Sequence, residues 1–194
     1  LMRDVVSLFT DVLGSGRHHF EQVCELLALE MWSEESLHNL CRQLVSLGLS
    51  RDNTSMFARK SILPRLLDMK RSASRTLVNV MMELSTSQPQ SVVDGVMIPS
   101  LLRKQCTAAS VELVSRVAKS LPPDQVARFI GILVDEECSK SRWAGSISLS
   151  EQSLVLFKSL LSLKKLELPS APHVERLIGW FERCLFSDEK VMSK

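Results

Sequence analysis

The chain has 194 residues, of which 45% are hydrophobic and 24% charged, with a formal net charge of +2. Folding at this length buries about 70% of the unfolded surface, so the core requires neither metal nor disulfide, and so balanced a charge excludes a protein that grips nucleic acid with its whole surface. The five cysteines (24, 41, 106, 138 and 184) are odd in number and form no C-x-x-C; this excludes a fully paired disulfide framework and reads as a reducing compartment, cytosol or nucleus.

Leu1-Met2-Arg3-Asp4 resembles neither a signal peptide nor a natural start, which suggests a fragment of a longer chain. No apolar run approaches the ~20 residues needed to span a bilayer. From there the helical period dominates. Phe20, Val23, Cys24 and Leu27 recur at i, i+3, i+4, i+7, as do Leu37, Leu40, Cys41 and Leu44. Ser33 before Glu34 and Glu35 suits an N-cap with acids in the positive first turn of the second of these helices. Pro64 predicts a kink or a split in the next helix.

Ala73, Leu77, Val80, Met81 and Leu84 form a longer stripe. Pro89 and Pro99 are read as breakers, and Pro122-Pro123-Asp124 as a helix start, since proline loses nothing where the N–H is unpaired anyway. Further stripes are Ser110, Leu113, Val114, Val117, then Val126, Phe129, Ile130, Leu133, and finally Val174, Leu177, Ile178, Phe181. "SKSRWAGSISLS", 139–150, is non-periodic and is read as an inter-helix loop carrying Trp143. Ser148 and Glu151 have capping-box spacing beyond it, with Ser150 as the alternative cap. Pro169 and Pro172 break the last segment.

Each one-sided stripe must bury against a neighbour. Tyrosine is absent, and no Asn-Gly or Asp-Gly turn joins alternating runs. The predicted fold is therefore all-α, with about nine helices of roughly 10–17 residues. Helix pairs recur at about 35–45 residues, within the range of HEAT-like hairpins. We expect an α-solenoid of antiparallel helix pairs, a single elongated domain over 1–194, with a globular bundle second.

Motifs for catalysis are missing. The seven glycines are scattered and build no phosphate-wrapping loop. His18, His19, His38 and His173 lack zinc-like spacing, and in the nearest set, Cys24, His38 and Cys41, both thiols fall on apolar stripes. Asp135-Glu136-Glu137 are consecutive and point in different directions around a helix. No catalytic, cofactor-binding or metal-binding residue is assigned, and the chain is read as a non-enzyme.

Two features stand out as partner-surface candidates. "NTSMFARKSILPRLLDMKRSASR", 53–75, carries Arg59, Lys60, Arg65, Lys70, Arg71 and Arg75 around Asp68. Three uses are open for it: solvated surface, contact with an acidic protein, or a nucleic-acid-binding corner at 59–75 working through phosphate contacts. No aromatic residue interleaves with these charges to stack bases. Trp143 is the other candidate, either as an interface anchor or as a plug between helices.

"LCRQLVSLGLSRDNTSMFARKSILPRLLDMKRSASRTL" resembles the C-terminal helical-repeat domain of the Fanconi anaemia group E protein family. The resemblance rests on the order Asn53, Arg59, Arg65, Ser72-Ala73-Ser74-Arg75 after the Leu40-Cys41 helix. It continues through Glu112-Leu113, Pro123-Asp124-Gln125, Trp143 and "VLFKSLL" at 155–161, spanning roughly residues 20–185. It implies a stack of antiparallel helix pairs and a nuclear, non-catalytic adaptor in the Fanconi core ubiquitin ligase. The implied partners are the group C and group F subunits and the group D substrate, which is monoubiquitinated in interstrand-crosslink repair. The family's substrate-recruiting surface lies in its last helices, and Lys194 is expected to fall short of them. Arg59, Arg65 and Arg75 match family positions and are expected to brace helix ends; Lys60, Lys70 and Arg71 do not match and are left to solvent or an acidic partner.

Overall fold

The computed structural model describes residues 2–101, 107–134 and 151–162, with isolated positions near the end of the chain at 175, 177–179 and 182. Every regular element among the described residues is helical. Helices α1 (Met2–Val12) and α2 (Arg17–Leu26) are followed by a 3₁₀ turn, Leu29–Met31, and by α3 (Glu34–Ser46). Next come α4 (Arg51–Ser61), α5 (Leu63–Asp68) and α6 (Arg75–Ser87). Then follow α7 (Pro89–Val92), a π-helical turn at Val93–Met97 and α8 (Ile98–Leu101), and finally α9 (Ala108–Ala118), α10 (Pro123–Val134) and α11 (Glu151–Leu161).

The apolar stripes are buried as their spacing requires. Leu37, Leu40, Cys41 and Leu44 on α3, Leu77, Val80, Met81 and Leu84 on α6, and Val126, Phe129, Ile130 and Leu133 on α10 all lie in one continuous core. Serine and threonine caps place the starts. Ser33, Ser50, Ser74 and Thr107 each accept a hydrogen bond from the backbone N–H three residues on, and Thr107 and Ser110 cap reciprocally. Each such cap contributes roughly 0.5–2 kcal/mol.

The contacts run in two files. In one, α3 packs on α6, α6 on α9 and α9 on α11. In the other, α2 packs on α4, α4 on Pro89–Met97, and Ile98–Leu101 on α10. α1 closes one end against α2 and α3, and α6 joins the files through α7. Side-chain hydrogen bonds between hairpins repeat this order, with sequence separations from 33 residues (Arg65 to Trp32) to 45 (His38 to Glu83). Such nearest-neighbour packing is the organisation of stacked helical repeats.

Pro64 acts as expected: α4 ends at Ser61 and α5 begins at Leu63, with the proline in its first turn. Pro99 does not. The chain stays helical from Pro89 to Leu101, and the break expected there is corrected by the wide turn just before it. The Ile98 N–H reaches back to the Val93 carbonyl. One residue more than a regular turn requires is thereby accommodated where proline removes a donor. The rod is buried nearly all round, so its residues lack the polar face that would have marked them as helical. The α1 stripe, with Val5 and Phe9 buried, was also not among the expected elements. Of the expected final stripe, Leu177 is buried and Ile178 exposed, while Val174 and Phe181 lie outside the described residues.

Candidate partner-binding surface

The basic stretch folds into α4 from Asn53 onward, all of α5, the following loop and the first residue of α6. Its cations have different fates. Lys60 bonds Glu25 Oε1 at 2.6 Å and Glu21 Oε1 at 3.0 Å, both on α2. The Glu25 hydrogen bond first, and Glu21 second, raise the Lys60 ammonium above its ordinary pKa. This lysine therefore clips α4 to the neighbouring α2 instead of standing free for a partner.

Arg65 is half-buried. Its Nη1 donates to the Leu29 carbonyl at 3.0 Å and to the Ser61 carbonyl at 2.6 Å, and its Nη2 donates to the Trp32 carbonyl. The planar guanidinium serves helix-end carbonyls of two hairpins at once. Burial pulls its pKa down, and Glu34 and Glu30 oppose that shift. Arg59 is half-buried and engaged in interactions of its own; it lines a polar notch of about 180 Å³ with Arg17, Arg51, Asp52, Ser55 and Asp94.

Lys70, Arg71 and Arg75 are exposed, with no hydrogen bond or ion pair to a described residue. Arg75, grouped by sequence with the bracing arginines, opens α6 at the positive end of the helix and braces nothing among the described residues. The loop carrying these charges is pinned from both sides. Thr107 Oγ1 donates to the Met69 carbonyl at 3.0 Å, Ser72 Oγ donates to Glu112 at 3.1 Å, and Ser74 Oγ donates to Glu34. Trp143 lies outside the described residues.

The α2–α3 corner was not singled out by sequence. Leu26 and Met31 are 85% and 80% exposed there, the highest values among the exposed large hydrophobic residues described. Leu26 lies off the Phe20–Leu27 stripe, and that is the signal that could have identified it. The Trp32 indole N–H donates to the Leu27 carbonyl at 2.9 Å, so this tryptophan folds back on its own turn. Ala28 adopts φ 44°, ψ 54°, the one non-glycine residue with positive φ among those described. Gly48, with φ +67°, occupies the corresponding place after α3, where glycine is the usual choice.

A second polar link lies in the same file as the Lys60 clip. Arg128 Nη2 on α10 reaches both Asp94 oxygens, at 2.7 and 3.1 Å. Cys24 and Cys41 are buried, and burial pushes each thiol up to about 12. A thiol held protonated in this way is a poor nucleophile. His38 bonds Glu83 at 3.1 Å. Among the described residues no three His, Cys, Asp or Glu side chains converge to hold a metal ion, and no helix is long and apolar enough to cross a membrane.

Residues 12–167 match the sequence family described as Fanconi Anaemia group E protein FANCE. Comparison with curated proteins gives no match. The matched span covers most of the chain and includes every hairpin link just described. An all-helical stack with that match identifies the chain as a member of the Fanconi anaemia group E protein family, and so as a Fanconi-pathway protein of DNA repair.

Proposed function

We propose that this chain is a non-enzymatic adaptor of the nuclear Fanconi core ubiquitin ligase, acting as one elongated unit. In this reading it holds the group C and group F subunits and brings them to the group D substrate that is monoubiquitinated in crosslink repair. The observation that carries the reading is the family match over residues 12–167. It is supported by a structure whose side-chain links run between neighbouring hairpins, which suits a long contact surface. The charge pattern weighs against the alternative of a nucleic-acid-binding corner at 59–75. Lys60 and Arg65 are occupied by α2 carboxylates and by backbone carbonyls, which leaves Lys70, Arg71 and Arg75 as the exposed cations.

Co-expression with the group C subunit tests the proposal. A stable complex that survives size-exclusion chromatography is expected. If neither the group C nor the group F subunit co-elutes with the folded chain, the adaptor reading fails. Tight duplex binding at low salt that weakens with added salt, with a slope reduced by Lys70→Glu and Arg71→Glu, favours the nucleic-acid reading instead.

A further inference from the structure

Isolated apolar side chains on a surface need no explanation. Leu26 and Met31 differ because the corner bearing them is held in place by an unusual set of constraints. The backbone passes through a left-handed alanine at position 28. Arg65, from the next hairpin, fixes the carbonyls of Leu29 and Trp32, and Trp32 fixes the carbonyl of Leu27. Strained backbone that persists under outside bracing is characteristic of preorganised recognition elements. Here the braced backbone flanks the two nearly fully exposed apolar side chains.

The charges around the corner have one predominant sign. Glu25 directly precedes Leu26, and Glu30 directly precedes Met31. Glu21, Glu34 and Glu35 lie on the adjoining turns of α2 and α3; Lys60 already bonds Glu21 and Glu25, Ser74 donates to Glu34, and Arg65 is bonded to backbone carbonyls, which leaves Glu30 and Glu35 as the carboxylates of this corner open to a partner. Glu30 and Glu35 are exposed. We propose that the 26–32 corner is a docking site for an amphipathic helix of another protein whose apolar stripe is bordered by Lys and Arg. Leu26 and Met31 supply the apolar contact, and Glu30 and Glu35 select the basic border and steer the approach. The proposal rests on the adaptor reading and gives it one contact point and one partner chemistry.

The test uses the full chain and two synthetic helical peptides with the same leucine stripe, one bordered by lysine and the other by glutamate, read by fluorescence anisotropy. The lysine peptide is expected to bind and the glutamate peptide not. The double variant Leu26→Ser/Met31→Ser, in which both replaced side chains are exposed, is expected to keep its circular dichroism and lose affinity by about tenfold or more. Glu30→Lys/Glu35→Lys is expected to reverse the preference between the peptides. Equal binding of both peptides, no binding at millimolar peptide, or an unchanged double variant overturns the docking site. A dimer of the chain alone that the double variant dissociates in sedimentation assigns the corner to a second copy, and also overturns it. If the double variant still co-elutes with the group C subunit while the peptides fail, the corner is refuted and the adaptor reading stands; if the parent chain fails to co-elute, the adaptor reading itself fails.

Discussion

Replacing Gly95 by alanine probes the tightest helix approach seen at any described glycine. A Cβ at this position comes to 2.5 Å from the Ser55 carbonyl oxygen, 3.0 Å from Ser55 Oγ and 3.1 Å from Ser55 Cα. The obstructing atoms are mostly backbone of α4, so no side-chain rotation relieves the clash. Restoring ordinary contact requires the π turn and α4 to separate by about 0.9 Å, and a gap of that size forfeits a quarter to a half of each pairwise attraction across it. α4 is also held by α2, α5 and α7, so the displacement is shared among well-packed neighbours. Overpacking of this kind costs about 1–3 kcal/mol; the better helix propensity of alanine offsets up to about 1 kcal/mol, and a backbone clash lies at the severe end of the range. We expect a net loss of about 1–2 kcal/mol and a Tm lower by roughly 2–8 °C for a chain of this size. Differential scanning calorimetry measures it, with Gly14→Ala as the control, since a Cβ there meets nothing within 4 Å. A Gly95→Ala protein that melts at or above the parent temperature refutes the argument.

Other perturbations test other parts of the structure. Arg65→Met leaves the carbonyls of Leu29, Ser61 and Trp32 without their guanidinium donor; a loss of about 2–4 kcal/mol is expected from urea unfolding, given about 1–3 kcal/mol for each unsatisfied buried group and partial access of water here. Arg65→Lys recovers only part of it, because an ammonium cannot reproduce the fork. Ala28→Gly removes the left-handed penalty of roughly 1–2 kcal/mol but gains unfolded-state freedom, so a Tm equal to the parent or up to a few degrees higher is expected; a clear fall in Tm contradicts the strained backbone. Cys24 and Cys41 are expected to resist iodoacetamide at neutral pH in the native chain and to react after denaturation, as peptide mass mapping can show. Because their folded pKa values are raised to about 12 from 9.0, the contribution of these thiols to stability is complete below pH 9 and is lost as pH rises toward 12, so the urea midpoint falls over that window.

Periodicity identified the helices that present one polar face. The α3 stripe and its Ser33 cap, the α6 and α10 stripes and the split at Pro64 were all readable, because each depends on residues a few positions apart. The rod at Pro89–Leu101 escaped recognition because it is enclosed on nearly every side and contains a proline that a widened turn accommodates. The basic stretch was visible as composition, but the fate of each cation was not. Nothing local distinguishes Lys60, which meets Glu21 and Glu25 across a hairpin, from Lys70, which meets no described partner. At the α2–α3 corner the sequence marks Leu26 as lying off its stripe, but not the bracing of the turn by Arg65, 36 residues from Leu29.

The enclosed rod also sets how the chain can be divided. Pro89–Leu101 touches α4, α5 and α6 on one side and α10 on the other, so no cut near its ends leaves two self-sufficient halves. A fragment ending before Pro89 bares the flank of α4, and a fragment starting there sheds the partners of Val92, Val93 and Val96. Protease resistance should accordingly be gained or lost as a block through the middle of the molecule, and the outer hairpins are the places where trimming is tolerated first.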